Sequence, residues 1–166
     1  MRFLDELTPA RQPSEPVELV RRDSMRAAEY LALYALVGER WLWRDRLTWT
    51  NAELDRYLAS SDVHVFTPVL DGATAGYFEL KRNSDRSVEL VYFGLAPAFM
   101  GRGLGGWLLT RAVQEAFTLG ATRMVLNTCT LDGPHALPNY LARGFRIVSE
   151  DQYLLDVPPR AAERCY

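Results

Sequence analysis

Four glycines, Gly101, Gly103, Gly105 and Gly106, stand in the stretch MGRGLGGWLL. They follow an apolar run rich in Val, Leu and aromatics, Ser87 to Leu95, and precede a run of helical period. In the latter, Leu104, Leu108, Ala112 and Ala116 recur at four-residue spacing, Leu109, Val113 and Phe117 widen the stripe, and Gly120 offers a left-handed stop. The spacing predicts a strand, a glycine loop and a helix from about Leu104 to Leu119. A helix N-terminus leaves its first N–H groups unpaired and carries about half a positive charge, so it attracts anions. Glycines let the backbone approach a ligand closely, and Arg102 adds a permanent cation suited to phosphate oxygens. The loop therefore reads as a diphosphate cradle, against the plainer reading of a strand-to-helix turn.

Two common phosphate loops do not fit. Gly101, Gly103 and Gly106 spell the G-x-G-x-x-G of dinucleotide-binding folds, but that motif follows the first strand of a parallel unit and needs an acidic residue ~20 positions later. No Asp or Glu lies between Ala116 and Leu131. A Gly-Lys-Ser or Gly-Lys-Thr triplet is also missing, which excludes the nucleotide-triphosphatase loop.

The preceding chain reads as an antiparallel meander. Val63–Leu70 and Ala73–Lys81 flank Asp71-Gly72, a hairpin turn signal, and a polar turn at 83–86 leads into Ser87–Leu95. Upstream, residues 1–15 form an N-terminal arm without periodicity and Val17–Val20 a short strand. Ser24 is the expected cap of a helix whose apolar face is Ala28, Leu31, Ala32, Ala35 and Leu36, ending at Gly38. Thr50 with Glu53 forms a capping box for a second helix with Leu54, Tyr57 and Leu58 inward. Downstream come a strand over Arg123–Cys129, a short helix near Leu137–Arg143 beginning about Ala136, where Pro138 fits the first turn, and a final hairpin through Phe145–Val157. The fold class is α/β, a mixed, mostly antiparallel sheet flanked by helices, in one domain over residues 16–166.

Composition narrows the function. The formal charge of -2, spread without a basic stripe, argues against nucleic acid as a partner. No apolar run reaches the ~18 residues of a membrane span, and the acidic Asp5 and Glu6 do not suit a signal peptide, so a cytoplasmic protein without a membrane partner is expected. The two cysteines, Cys129 and Cys165, read as unpaired, with Cys129 in the core.

The stretch from Glu89 to Leu109, with Pro97 after the strand and Gly101-Arg102-Gly103-Leu104-Gly105 beyond it, resembles the acyl-CoA-binding motif of the GNAT acetyltransferase superfamily. ALPNYLARGF, Ala136 to Phe145, is similar to that superfamily's second signature, and the order of elements matches over residues 16–157. The resemblance implies an N-acetyltransferase with acetyl-CoA as donor and a small-molecule or protein amine as acceptor, the alternative being a non-catalytic acyl-CoA-binding sensor or interaction domain. It implies that the backbone of Phe93, Gly94 and Leu95 holds the pantetheine arm and that Met100, Gly101, Arg102, Gly103, Leu104, Gly105 and Gly106 hold the diphosphate. Two positions depart from the family pattern: Met100 replaces a Gln or Arg, and Gly133 an Asn, with Asp132 the substitute contact.

The chemistry asks for a base, since an alkylamine of pKa near ~10.4 is protonated at neutral pH, and for an acid to protonate the departing thiolate. Within the resemblance, Glu89 is the expected base, with Glu79 in reserve; strand alternation puts Glu89 on the face of Val91 and Phe93. Tyr140 is the expected acid. Trp41, Trp43 and Trp49, interleaved with Arg40, Arg44 and Arg46, either line the acceptor site or pack the first helices onto the sheet. His64 and His135 lack metal-ligand spacing, so no metal is expected, and a Cys129, His135 and Asp132 set has only sequence proximity behind it. A sheet edge makes a homodimer reasonable.

Overall fold

A computed structural model describes residues 1–152. Its core is a six-stranded sheet in the order β1 (Glu18–Arg21), β2 (Val63–Leu70), β4 (Gly76–Arg82), β5 (Ser87–Leu95) and β6 (Arg123–Leu126), with the two-residue β3 (Ala73–Thr74) beside β2. Every pairing is antiparallel except β5 with β6. Helices α1 (Ala27–Gly38) and α2 (Asn51–Leu58) cover one face; α3 (Leu104–Thr118) and α4 (Ala136–Ala142) cover the other. The fold class is the one the sequence predicts.

The helix after the glycines forms as its periodicity dictates. Leu108, Leu109, Ala112, Val113 and Ala116 are buried against Phe78, Leu80, Val88, Leu90 and Met124 of the sheet, and Leu104 against Leu70 and Ala75. Its C-terminus closes with the Gly120 N–H donating to the Phe117 carbonyl and the Ala121 N–H to that of Ala116, with Gly120 at φ +83°. The Thr50 capping box is also present: the Glu53 N–H donates to Thr50 Oγ1 at 3.3 Å, and the Glu53 carboxylate accepts from the Thr50 N–H at 2.8 Å.

Helix α1 departs from expectation in both its cap and its face. Ser24 lies outside the helix at φ +62°, and Arg26 is the N-cap residue. The first-turn amide of Ala27 instead donates to Asp55 of α2 at 2.7 Å, so the cap comes from a neighbouring helix. The inward face is Ala27, Tyr30, Tyr34 and Val37, while Ala28, Ala32, Ala35 and Leu36 are exposed. The segment is apolar nearly all round, which leaves its period intact but its phase open; tertiary partners for the tyrosine hydroxyls settle it.

Two further expectations change. The strand after α3 ends at Leu126, three residues before Cys129, and Cys129 is exposed. The stretch beyond Leu126 is instead folded around Asp132, whose carboxylate accepts from Thr128 Oγ1 at 2.7 Å and the Cys129 N–H at 3.2 Å. Of the final hairpin, residues 145–152 contain no strand, and the remainder of it, like Cys165, lies outside the described residues.

Candidate active site

The site begins where the sheet opens. Strands β5 and β6 pair from Ser87 with Arg123 to Leu90 with Leu126; β6 then stops, while β5 continues five residues to Leu95. Among the described residues, one edge of the Val91–Leu95 backbone thus faces a gap rather than a strand, although its other edge pairs with β4. Tyr140 of α4 is buried on the α3 side of this gap, its ring 6.0 Å from that of Phe93. Burial, and secondarily the charge of Asp132, pushes the Tyr140 hydroxyl pKa above the ordinary phenol value.

A β-bulge fixes which residues face which side. Glu79 pairs with Tyr92 but Leu80 pairs with Leu90, so Val91 is an extra residue in β5. The bulge reverses the alternation beyond it. Glu89 opposes Lys81, and it shares the α1–α2 face with Glu79 and Tyr92; Phe93 points to the α3–α4 face. The expectation that Glu89 and Phe93 lie on one face is therefore corrected. Glu89 and Tyr140 sit on opposite faces of the sheet, and the gap beside Val91–Leu95 is the opening between those faces.

The glycine loop divides its labour. Gly101 (φ +74°) and Gly103 (φ +75°) take left-handed conformations that a Cβ would strain, and each has open space on its Cβ side. Gly103 is the N-cap of α3 and provides no side-chain cap, so the first-turn amides stay available. Gly105 and Gly106 serve packing: Asn139 Nδ2 of α4 donates to the Gly105 carbonyl at 3.2 Å, and Arg143 lies against Gly106. Arg102 stacks over Phe99 at 5.4 Å and pairs with Glu15 of the N-terminal arm. Met100 caps the preceding 3-10 turn, Pro97–Phe99. Gly94 has a packing role of its own, since a Cβ there would meet Val37 Cγ1 at 2.5 Å.

On the opposite face lies a cluster that sequence reading did not foresee. Glu79 is fully buried and accepts hydrogen bonds from the hydroxyls of Tyr30 and Tyr57 and, at 3.2 Å, from Arg46. Arg46 is buried too, with its guanidinium 4.3, 4.6 and 5.1 Å from the ring centres of Trp49, Tyr57 and Tyr92. Burial opposes the Arg46 charge, but Glu79 together with Tyr92, Tyr30 and Tyr57 outweighs it and holds the side chain protonated beyond its usual range. Burial and then Glu79 push the Tyr30 and Tyr57 hydroxyls upward. No local pattern announces Arg46: it sits in a four-residue 3-10 turn, Asp45–Thr48, and only the rings around it show that it turns inward.

The tryptophans separate by role. Trp43 packs among Tyr34, Tyr77 and Tyr92, and Trp49 against Tyr57 and Arg46, which is the packing alternative. Trp41 reaches across to the loop before α4, where a Cβ on Gly133 would come within 3.0 Å of its ring. Asp132, the expected substitute contact, is engaged within its own loop. His64 faces Arg21 at 3.0 Å, and His135 is the N-cap residue of α4. Among the described residues no group of three or more His, Cys, Asp or Glu side chains is gathered as a metal would need, and no helix is long and apolar enough to cross a membrane.

Comparison with known proteins places this geometry. The sequence profile of the acetyltransferase (GNAT) family matches residues 29–145. No curated protein sequence matches the chain. Among solved structures, an aminoglycoside acetyltransferase from an uncultured soil metagenomic sample, in complex with trehalose, superposes with a TM-score of 0.64 at 14% identity, covering 86% of this chain and 95% of that one. AAC(6')-Iy, in complex with a bisubstrate analogue of coenzyme A and acetylneamine, gives 0.64 at 18% identity over 87% and 100% of the two chains. An IAA acetyltransferase from Bacillus cereus gives 0.61 at 20% identity over 81% and 79%. At such identities the likeness is one of fold.

Proposed function

We propose, from the premise that this chain belongs to the GNAT acetyltransferase family, that it moves the acetyl group of acetyl-CoA to a primary amine of a small molecule. The observation that carries the reading is the conjunction of a β5 edge at Val91–Leu95 that has no strand partner among the described residues with a helix that starts on two left-handed glycines and has no side-chain cap. The pantetheine arm would add to the free edge of β5 as a strand does, and the amides from Gly101 to Gly106, with Arg102, would take the diphosphate. That two structural relatives are aminoglycoside acetyltransferases supports a soluble polyamine-like acceptor.

Acetyl transfer then follows from the residues around the gap. Glu89 accepts a proton from the acceptor ammonium, directly or through water; the freed nitrogen forms the C–N bond at the thioester carbonyl. A backbone N–H of Phe93 to Leu95 donates to the developing oxyanion. The C–S bond breaks, Tyr140 gives its proton to the leaving sulfur and is reprotonated from solvent, and the nitrogen, still carrying one proton too many after the C–N bond forms, gives it up to water. Burial keeps the hydroxyl protonated but makes it a weaker acid, so in this scheme the proton moves only as negative charge builds on the sulfur. Glu79 is a poorer base because Tyr30, Tyr57 and Arg46 already occupy its oxygens.

The test is thiol release from acetyl-CoA across aminoglycosides, short polyamines and lysine peptides, repeated on Glu89→Gln and Tyr140→Phe. A fall of about 100-fold or more in kcat for Glu89→Gln is expected, the lower range of general-base contributions. Unchanged kcat in both variants would end this assignment of roles.

A further inference from the structure

The arm before β1 follows a definite course. The Met1 backbone exchanges hydrogen bonds with Met124 of β6, the Thr8 N–H donates to the Arg143 carbonyl, and the Ala10 N–H donates to Thr110 Oγ1 at 3.0 Å. Gln12 then accepts from Trp107 Nε1 at 3.1 Å, and Glu15 pairs with Arg102. Ala10 lies against Gly106, where an added Cβ would stand 3.0 Å from its own. The arm thus descends the first two turns of α3 and ends with a carboxylate on the one cation of the glycine loop. A carboxylate and a phosphate oxygen compete for the same guanidinium fork.

We propose that residues 8–15 form an autoinhibitory strap in which the Glu15 carboxylate stands on Arg102 in place of the cofactor's diphosphate, so that coenzyme A binds by displacing the end of the arm. This rests on the reading that the glycine loop takes the diphosphate. The strap is built to yield. Arg102 and Glu15 keep side-chain exposures of 37% and 48%, and an exposed pair of this kind is weak, whereas the arm's other end is held by the Met1 and Leu7 side chains against the core. Release at Glu15 therefore leaves the anchor in place, and the strap sets a threshold for the donor without unfolding anything.

The experiment is isothermal titration of the full chain with coenzyme A and, separately, with pantetheine, which lacks the diphosphate. Glu15→Gln is expected to bind coenzyme A about threefold to fivefold more tightly, the range of an exposed ion pair, and pantetheine equally well. In an Arg102→Ala background the same substitution should change nothing, whereas a general loss of negative charge would act in both backgrounds. Limited trypsin cleavage after Arg11 gives a second measure: coenzyme A should accelerate it, and Glu15→Gln should accelerate it without ligand. Unchanged or weaker coenzyme A binding by Glu15→Gln, or protection of Arg11 by coenzyme A, overturns the strap and leaves the diphosphate site standing. Failure of both wild type and Glu15→Gln to bind coenzyme A overturns the diphosphate site and the strap together.

Discussion

Replacing Arg46 by Met tests whether the Glu79 cluster is the structural keel of the α1–α2 face. The ion pair measures 3.2 Å, with side-chain exposures of 9% and 0%. At an effective dielectric near 20, that separation corresponds to an attraction of about 5 kcal/mol, much of which is offset by removing both charges from water. The asymmetry is what matters. Without Arg46, Glu79 keeps two tyrosine hydroxyls but no countercharge in a buried site, and breaking such a pair costs about 3–5 kcal/mol. The Met side chain still fills part of the space between Trp49, Tyr57 and Tyr92, so the loss reports mainly the charge. For a domain of this size the cost corresponds to a fall in Tm of about 6–20 °C, read by circular dichroism, with a lower urea midpoint at an unchanged slope. Adding Glu79→Gln should recover at least half of it, because the amide oxygen still accepts from one tyrosine hydroxyl, the amide NH2 can donate to the other, and no bare charge remains. A single-variant loss below about 1 kcal/mol, the value of an exposed pair, would refute the reasoning. So would a double variant no more stable than Arg46→Met.

Three other outcomes are expected. Gly103→Ala, forced to keep φ near +75° with nothing in its way, should lose about 1–2 kcal/mol of stability in urea melts, and more in coenzyme A affinity than an Ala at the equally open but remote Gly120. Gly94→Ala should destabilise by about 1–3 kcal/mol through its clash with Val37 Cγ1, and Val37→Ala in the same chain should relieve the clash, a coupling that a double-mutant cycle reads directly. His64 should make stability fall as the pH drops. Burial first, then Arg21, hold its folded pKa below 6.5, so the unfolded chain takes up the proton first and stability is lost as pH falls through 6.5. Urea midpoints at pH 7.5 and 5.5 should differ less in His64→Gln than in the parent.

What the sequence discloses here depends on how far each residue's partners lie along the chain. The glycine loop, α3 and its Gly120 closure are specified by neighbours within a few positions, and they are found as read. The Thr50 capping box and the Asp71-Gly72 turn belong to the same class. By contrast, α1 offers apolar residues on every side, and only the distant Glu79 and Arg46 decide that Tyr30 and Tyr34 face inward. The bulge at Val91 is invisible for a related reason: one inserted residue leaves an apolar strand looking like an apolar strand, yet it reverses every face beyond it. That reversal has a chemical consequence. With unbroken alternation Glu89 and Phe93 would crowd one side of the sheet; with the bulge, Glu89 stays on the face of the Trp41–Trp49 segment while Phe93 turns to Tyr140. In the proposed transfer the base takes a proton from the attacking nitrogen while the acid gives one to the leaving sulfur. The bulge in β5 and the end of β6 at Leu126 set the two residues proposed for those roles, Glu89 and Tyr140, on the two faces that meet at the gap.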